Sequence, residues 1–170
     1  MAEKLVQQYS PEWPAWFLRI RGVLRQALGN TFLSIQHVGS TAIPGMVAKP
    51  IIDIDIVIET ENFGEVRRRL AGLGYTHEGD KGVAGRESFD LKDEALSRTL
   101  PVHHLYVCPK NSPALREHLA FRDFLRRDRD YHQRLCNLKL ALVEKHGGNR
   151  QAYMDGKEAV SYTHLRAHET

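Results

Sequence analysis

Apolar residues recur every three or four positions between Trp13 and Leu28, the spacing that lines one face of an α-helix. A helix-opening signal precedes this segment, since Ser10 is a capping residue and Pro11 is tolerated in a first turn. Gly29 follows the last apolar position and ends the predicted helix. The same spacing predicts further helices over Phe63 to Leu73, from Pro113 onward, from about Tyr131 to Gly147-Gly148, and around Gln151 to Ala159.

Stretches of alternating or continuous apolar residues, bounded by turn residues, predict the strands. They are Phe32 to Val38, Ile51 to Ile58, a short strand from Tyr75, Arg86 to Leu91, and Val102 to Val107, with a polar loop between the last two. The chain thus runs from one helix through strands interrupted by a helix to two or three final helices. This order predicts an α+β fold, with a mixed sheet, helices packed on one face and a C-terminal helical segment.

The length of 170 residues suits one domain, which we assign to residues 1–159. Residues 160–170, VSYTHLRAHET, lack helical or strand periodicity and are interpreted as a non-native or disordered tail. Neither an apolar leader nor a run of transmembrane length is found, which predicts a cytoplasmic protein without membrane contact. Cys108 and Cys136 are therefore expected to be reduced.

The charge pattern adds little to this picture. Hydrophobic residues make up 42%, charged residues 26%, and the net charge is only +3, so no strong field for nucleic acid or membrane follows. Basic residues are in excess only between Lys110 and Arg134. Four arginines there alternate with aspartates, which favours a solvated, ion-paired helix surface and leaves an RNA contact as the alternative: Arg122, Arg126, Arg127 and Arg129.

Two aspartates, Asp53 and Asp55, stand in the otherwise apolar strand Ile51 to Ile58. Because side chains alternate across a strand, the two share a face and lie about 6–7 Å apart. Their mutual repulsion and the cost of burying a carboxylate predict a positive group over them. A hard divalent cation, Mg²⁺ or Mn²⁺, would provide it. The alternative is that the carboxylates cap backbone groups or pair with Lys or Arg.

A turn of small residues precedes these aspartates by about a dozen positions. Gly39 permits close backbone approach, and the amides and hydroxyls of Ser40 and Thr41 can hold phosphate oxygens. Lys49, just before the aspartate strand, and Arg86, at the start of another, are further predicted ligands of nucleotide phosphates. For both, the alternative is a structural or surface role.

Three segments resemble the GrpB family, whose members are similar to the nucleotidyltransferase superfamily: HVGSTAIPGMVAKPIIDIDIVI, HHLYVC and LREHLAFRDFLRRDRDYHQRL. The resemblance extends over roughly Tyr9 to Ala159. It implies the minimal nucleotidyltransferase fold, in which a Gly-Ser turn contacts nucleotide phosphates and paired carboxylates hold Mg²⁺. Gly39 and Ser40 match that turn, and Asp53 and Asp55 match the metal pair.

One feature departs from that pattern, because active members of the superfamily usually add a third carboxylate from a neighbouring strand. Val102 to Val107 contains His103 and His104 but no acid. The two histidines point to opposite faces, and His104 is predicted as the catalytic base in place of the acid. Glu87 and Asp90 on the preceding strand are the alternative substitutes.

His37, two residues before Gly39, is interpreted as packing in the core or beside the turn. A Zn²⁺ site built from His37, one of the two later histidines and Asp53 is the alternative metal site, although no local ligand spacing supports it.

These features together predict a Mg²⁺-dependent protein that transfers a nucleoside monophosphate from a nucleoside triphosphate to an unassigned acceptor. The missing third acid favours a second hypothesis, a non-catalytic nucleotide-binding or assembly-accessory module. Fusion of such domains to dephospho-CoA kinases in some relatives, implied by the resemblance, points the same way. A metal-dependent phosphohydrolase is the third hypothesis. The sequence assigns neither the base of the nucleotide nor an oligomeric state.

Overall fold

The computed structural model describes residues 6–146 of the chain. Five α-helices are found in this part: α1 Glu12–Leu28, α2 Phe63–Leu73, α3 Glu94–Thr99, α4 Pro113–Arg127 and α5 Arg129–His146. Five strands accompany them: β1 Ser34–Val38, β2 Ile52–Ile58, β3 Tyr75–Gly79, β4 Glu87–Leu91 and β5 His103–Pro109. Two short 3-10 turns follow β1 and β2, at Ser40–Ala42 and Thr60–Asn62.

The strands form one mixed sheet in the order β1-β2-β5-β4-β3. β2 and β5 are parallel, and the other neighbouring strands are antiparallel. A parallel pair needs a long connection, which α2, β3, β4 and α3 supply here. β2 is therefore an inner strand, flanked by β1 on one side and by β5 on the other.

One face of β2 forms the centre of the main hydrophobic core. Its isoleucines are completely buried there: Ile52, Ile54, Ile56 and Ile58. Helices α1 and α2 cover this face with apolar side chains that include Ile20, Leu24, Val66 and Leu70. Because burial of each such side chain stabilises the fold by about 1.5–3 kcal/mol, the isoleucines fix the orientation of β2. The aspartates between them are consequently turned to the opposite face.

Helix α4 covers part of that opposite face. Leu115 packs on Val57 of β2 and Cys108 of β5. A second cluster joins the segment after β1 to α4 and α5, with Ile43, Met46, Val47, Leu125, Leu135 and Cys136 buried in it. The two cysteines are both buried and free. Within residues 6–146, no helix is both long enough and apolar enough to cross a membrane.

The predicted α+β architecture is confirmed. Helix α2 has the predicted bounds, whereas β1 begins two residues later than predicted and β5 continues to Pro109. The prediction of a polar loop between β4 and β5 is wrong in one respect, because this segment contains α3. The expected end of α5 at Gly147-Gly148 and the helix around Gln151 to Ala159 lie outside the described residues.

Helix α3 escaped prediction because it is too short to show helical periodicity. It has six residues, and none of them is buried. Its stability comes from its start, where the Asp93 carboxylate accepts a hydrogen bond from the Leu96 amide at 2.8 Å. A capping signal without an apolar stripe is compatible with a turn as well as with a helix.

Candidate nucleotide and metal site

The strand register gathers polar side chains on one face of the sheet. Asp53 of β2 is opposite His104 of β5, and Asp55 is opposite Tyr106, which is in turn opposite Ser88 of β4. Residues opposite one another in a sheet share a face. We call this surface, with Asp53, Asp55, Ser88, His104 and Tyr106, the site face.

The turn after β1 packs directly against the first aspartate. Gly39 has φ +73°, a backbone conformation that favours glycine. A Cβ atom at Gly39 would overlap the Asp53 carboxylate. Glycine is thus required at this position for two reasons, the backbone angle and the closeness of Asp53. The predicted turn and the first predicted metal ligand are therefore in contact.

Asp53 also contacts the predicted base. The Nδ1–H of His104 donates a hydrogen bond of 2.9 Å to Asp53 Oδ1. Both side chains are accessible to solvent, with 48% of His104 and 32% of Asp53 exposed. The pair therefore lies at the open part of the site face, where a ligand can reach it.

Asp55, by contrast, is completely buried. Its Oδ2 accepts a 2.6 Å hydrogen bond from Nδ1 of His118, which reaches down from α4. Its Oδ1 is buried and has no hydrogen-bond partner. Burial raises the pKa of Asp55, and the hydrogen bond from His118 opposes that rise. A cation or a hydrogen-bond donor next to Oδ1 would relieve this cost.

His118 was missed by the sequence analysis. One sequence feature could have identified it: His118 follows Leu115 by three residues, so it lies on the face of the helix that packs toward the sheet. Such a histidine on an apolar stripe needs a polar partner inside the fold. Its partner Asp55 is 63 residues away in the sequence, so no local pattern joins the two.

A second missed residue is Lys139 of α5, which is 1% exposed. Its Nζ donates to Ser40 Oγ at 2.6 Å and to the Val47 carbonyl at 2.9 Å. The lysine follows Leu135 by one helical turn, on the buried side of α5. A buried ammonium thus contacts the serine of the turn.

Thr41 and His37 face inward together. The Thr41 hydroxyl and His37 Nε2 form a 2.9 Å hydrogen bond, so this hydroxyl is directed away from the site face. The His37 ring stacks on Phe17, with 4.8 Å between ring centroids. Burial lowers the pKa of His37 to about 4, which keeps the ring neutral. His37 is therefore a core residue that supports the turn from behind.

Arg86 reaches the site face from the residue before β4. Its guanidinium carbon lies 4.5 Å from the centroid of the Tyr106 ring, a cation–π contact. Its Nε is buried without a hydrogen-bond partner, and so is the neighbouring Ser88 Oγ. Within residues 6–146, the buried side-chain nitrogen and oxygen atoms that lack a partner are these two and Asp55 Oδ1. All three therefore belong to the site face.

Three further predicted residues form no ion pair with either aspartate within residues 6–146: Lys49, Glu87 and Asp90. Within the described chain, Lys49 forms no ion pair. Glu87 faces the core side, opposite Val107, and contacts His77 at 3.2 Å. Asp90 binds Lys92 at 2.7 Å and is largely exposed. Glu87 is thus turned to the core side, and Asp90 is paired with Lys92.

His103 turns away from the site face, as alternation along the strand predicted. It hydrogen-bonds to the Tyr75 hydroxyl at 2.6 Å and to the Pro101 carbonyl at 2.7 Å. The zinc site considered above is not assembled, because His37 lies on the core face, opposite Ile54. No group of three or more His, Cys, Asp or Glu side chains able to hold a metal ion is found in residues 6–146.

The arginines of α4 were interpreted as a solvated, ion-paired helix surface, and this interpretation is only partly correct. Arg122 does pair with Asp123 at 2.8 Å, but it also donates to the Gln36 side chain and the His37 carbonyl. Arg126 donates to the Ala42 carbonyl at 3.0 Å. These arginines hold the segment around the turn against α4, a structural role for part of the cluster.

Known proteins resemble this chain in sequence. The sequence model described as GrpB protein matches residues 4–166. UPF0157 protein YqkA of Bacillus subtilis is 33% identical over 151 residues, which cover 88% of this chain but only 43% of YqkA. A dephospho-CoA kinase of Mycolicibacterium paratuberculosis is 49% identical over 69 residues, or 38% of this chain and 17% of the kinase.

Two solved structures show the fold. The conserved protein GrpB from Enterococcus faecalis superposes with a TM-score of 0.78 and 27% identity, covering 97% of this chain and 99% of that one. The Cid1 poly(U) polymerase, in a structure with MgGTP bound, gives a TM-score of 0.54 and 15% identity over 82% of this chain and 43% of Cid1. The fold is therefore nucleotidyltransferase-like.

Proposed function

This chain belongs to the GrpB family, and from its nucleotidyltransferase-like fold and its site we propose that it is a Mg²⁺-dependent nucleotidyltransferase. It would transfer a nucleoside monophosphate from a nucleoside triphosphate to the hydroxyl group of an acceptor. One observation carries this proposal. The Gly39 turn packs against Asp53, the first of two carboxylates on one face of β2.

The residues fit a magnesium ion that is bound together with a nucleotide. Mg²⁺ is commonly held by one or two carboxylates plus substrate phosphates. Asp53 and Asp55 would be those carboxylates, and the buried Asp55 Oδ1 has no other partner. Since residues 6–146 bring no third metal-binding side chain to this pair, phosphate and water oxygens would complete the coordination. When bound, the ion would neutralise charge on the phosphates during transfer.

Gly39, Ser40 and Lys139 would hold the phosphates of the donor. The turn offers a backbone that can approach the phosphates closely, because Gly39 has no side chain. The Lys139 ammonium, 2.6 Å from Ser40 Oγ, adds a positive charge at the same point. Positioning of this kind supplies most of the rate gain in phosphoryl transfer.

His104 would take the proton from the attacking hydroxyl. Its Nδ1–H is held by Asp53, which leaves Nε2 as the basic nitrogen. The acceptor oxygen forms a bond to the α-phosphorus, the bond from that phosphorus to the bridging oxygen breaks, and pyrophosphate leaves with the electron pair. The proton goes to His104. An imidazole base thus replaces the third carboxylate of active relatives in the superfamily.

A non-catalytic nucleotide-binding or accessory module is the second proposal. Two observations favour it: the missing third acid, and the similarity of 69 residues to part of a dephospho-CoA kinase. A phosphohydrolase is a weaker third proposal, since the site has no feature that selects water as the acceptor.

Assays with α-labelled nucleoside triphosphates, Mg²⁺ and a small-molecule extract as acceptor source distinguish the three. A transferase releases pyrophosphate and labels a compound only when the extract is present. A phosphohydrolase releases pyrophosphate in buffer without the extract, and a pure binding module releases no pyrophosphate. Asp53→Asn should abolish transfer, whereas Glu94→Gln, at an exposed acid of α3, should not.

A further inference from the structure

Strands β2 and β4 and the residue before β4 contribute polar atoms that have no hydrogen-bond partner among residues 6–146. Asp55 Oδ1 on β2, Ser88 Oγ on β4 and Arg86 Nε just before β4 are all buried without a hydrogen bond. Tyr106 on β5 lies between Asp55 and Ser88 in the register and supports Arg86 with its ring. Buried polar groups normally find partners, so this cluster is expected to bind an external ligand.

The cluster and the turn lie on opposite sides of the aspartate strand. The turn follows β1, which flanks β2 on one side, whereas β5 and β4 follow on the other. With neighbouring strands about 4.8 Å apart, β4 is about 10 Å from β2 and about 14 Å from β1. Arg86 is thus distant from Ser40, and it lies on the same side of β2 as β5 and His104.

In-line displacement at the α-phosphorus requires one reactant on each side of β2. The attacking and leaving oxygens lie roughly opposite each other across the transferred phosphorus. If the donor's terminal phosphates lie at Ser40, on the β1 side, the acceptor must approach from the β5–β4 side. His104 lies on β5 and is exposed there, so it is reachable from that side.

We propose that Arg86, Ser88 and Tyr106 form the acceptor subsite, and that the acceptor carries an anionic group, a carboxylate or a phosphate, close to its attacking hydroxyl. This inference rests on the proposed nucleotidyl transfer. Arg86 would bind the anion through its N–H donors, and the Ser88 hydroxyl would donate to the same group. The sequence-based assignment of Arg86 to the nucleotide's own phosphates is thereby replaced by a role in acceptor selection.

A further feature supports an anionic ligand. Arg86 forms no ion pair with any residue in the described range, although its side chain is partly buried. Its N–H donors are thus available to an external anion.

The test follows the Nε–Hε resonance of Arg86 by NMR of protein labelled with ¹⁵N-arginine, assigned with Arg86→Lys. Glycerol 3-phosphate and glycerate serve as anionic probes, and glycerol serves as the neutral control. We expect a saturable shift with one or both anions and none with glycerol; the stronger response identifies phosphate or carboxylate. Ser88→Ala should weaken that affinity about fivefold, whereas Arg98→Lys, at an exposed position, should not change it.

A non-hydrolysable nucleoside triphosphate analogue with Mg²⁺ separates this inference from the proposed function. The Gly39 amide resonance reports donor binding, and the Arg86 resonance reports the acceptor subsite. The proposal is overturned if neither anion shifts Arg86. It is equally overturned if the analogue alone shifts Arg86 and the anions compete with it. If the anions shift the Arg86 resonance but the analogue does not shift the Gly39 amide, the result contradicts the proposed nucleotide binding and leaves the anion subsite supported.

Discussion

The ammonium of Lys139 lies 2.6 Å from the hydroxyl of Ser40, although 99 residues separate them along the chain. This contact joins the last described helix to the turn beside the aspartates. His132 of α5 adds a hydrogen bond to the Pro44 carbonyl at 3.1 Å, and Arg126 adds one to the Ala42 carbonyl. The C-terminal helices are therefore part of the site, and they hold the turn in a defined position before any ligand binds.

Replacement of Lys139 by Met tests the role of this cation. Met keeps the buried aliphatic volume but removes the charge and the donor to Ser40. We expect nucleotide affinity to fall about 10- to 100-fold, the usual value of a charged hydrogen bond. Calorimetric titration measures it. Lys145→Met, at an exposed position of the same helix, is the control, and equal affinities in both variants would remove Lys139 from the phosphate site.

Replacement of Gly39 by Ala tests the closeness of the turn and Asp53. The new Cβ combines an unfavourable φ with overlap of a carboxylate, so we expect a loss of about 1–3 kcal/mol in the free energy of unfolding. Urea denaturation measures this loss. Gly22→Ala is the matched control, because its Cβ meets nothing within 4 Å. In mid-helix it should stabilise by about 0.5–1 kcal/mol, and similar effects at both glycines would refute the close approach.

Replacement of His104 by Gln separates chemistry from binding. Gln can still donate to Asp53 but cannot accept the proton, so transfer should slow about 10²- to 10⁴-fold. The affinity for the nucleotide with Mg²⁺ should stay within about threefold, the scale of one modest hydrogen bond. Single-turnover rates and calorimetry measure the two quantities. If rate and affinity fell together, His104 would be a binding residue and not the base.

His37 gives the protein a predictable pH dependence. Its pKa is near 4 in the folded protein and about 6.5 when unfolded. As the pH falls below 6.5, the unfolded chain therefore takes up a proton that the folded protein does not, and stability is lost. Between pH 7 and pH 5 the free energy of unfolding of the wild type should fall by about 2 kcal/mol more than that of His37→Gln. Urea denaturation at the two values checks this, and equal losses would mean that His37 is not kept neutral.

The sequence was most informative where function and local structure coincide. Asp53 and Asp55 stood out because aspartate is unfavourable inside an isoleucine strand, and that strand was predicted within one residue. Gly39 stood out because it begins a turn of small residues about a dozen positions before the aspartates. Helix α2 was predicted with its bounds because Gly72 and Gly74 end its apolar stripe.

Other parts of the site could not be predicted because they depend on tertiary contacts. His118 and Lys139 come from helices 63 and 99 residues away from their partners. The side of the sheet reached by Arg86 depends on the strand order, which no local pattern specifies. Sequence reasoning thus identified residues on the sheet and the turn, and missed those that the C-terminal helices supply.

The most direct test is the thermal midpoint of the protein with each nucleotide, with and without Mg²⁺. Ligand at a hundred times its dissociation constant stabilises by about 2.7 kcal/mol, a shift of several degrees in a domain of this size. We predict this shift only with nucleotide and Mg²⁺ together, since the proposed site has two carboxylates, too few to hold the ion without phosphate oxygens. The shift should be lost in Asp53→Asn and Asp55→Asn and retained in Glu94→Gln, at an exposed position of α3. Without ligand, Asp55→Asn should be at least as stable as the wild type at neutral pH, because burial disfavours the ionised carboxylate.

The opposite result is equally clear. If no nucleotide with Mg²⁺ raises the midpoint of the wild type, the two aspartates do not form a metal–nucleotide site. The same conclusion follows if the aspartate variants respond as the wild type does. The nucleotidyltransferase-like fold would then stand without the proposed activity.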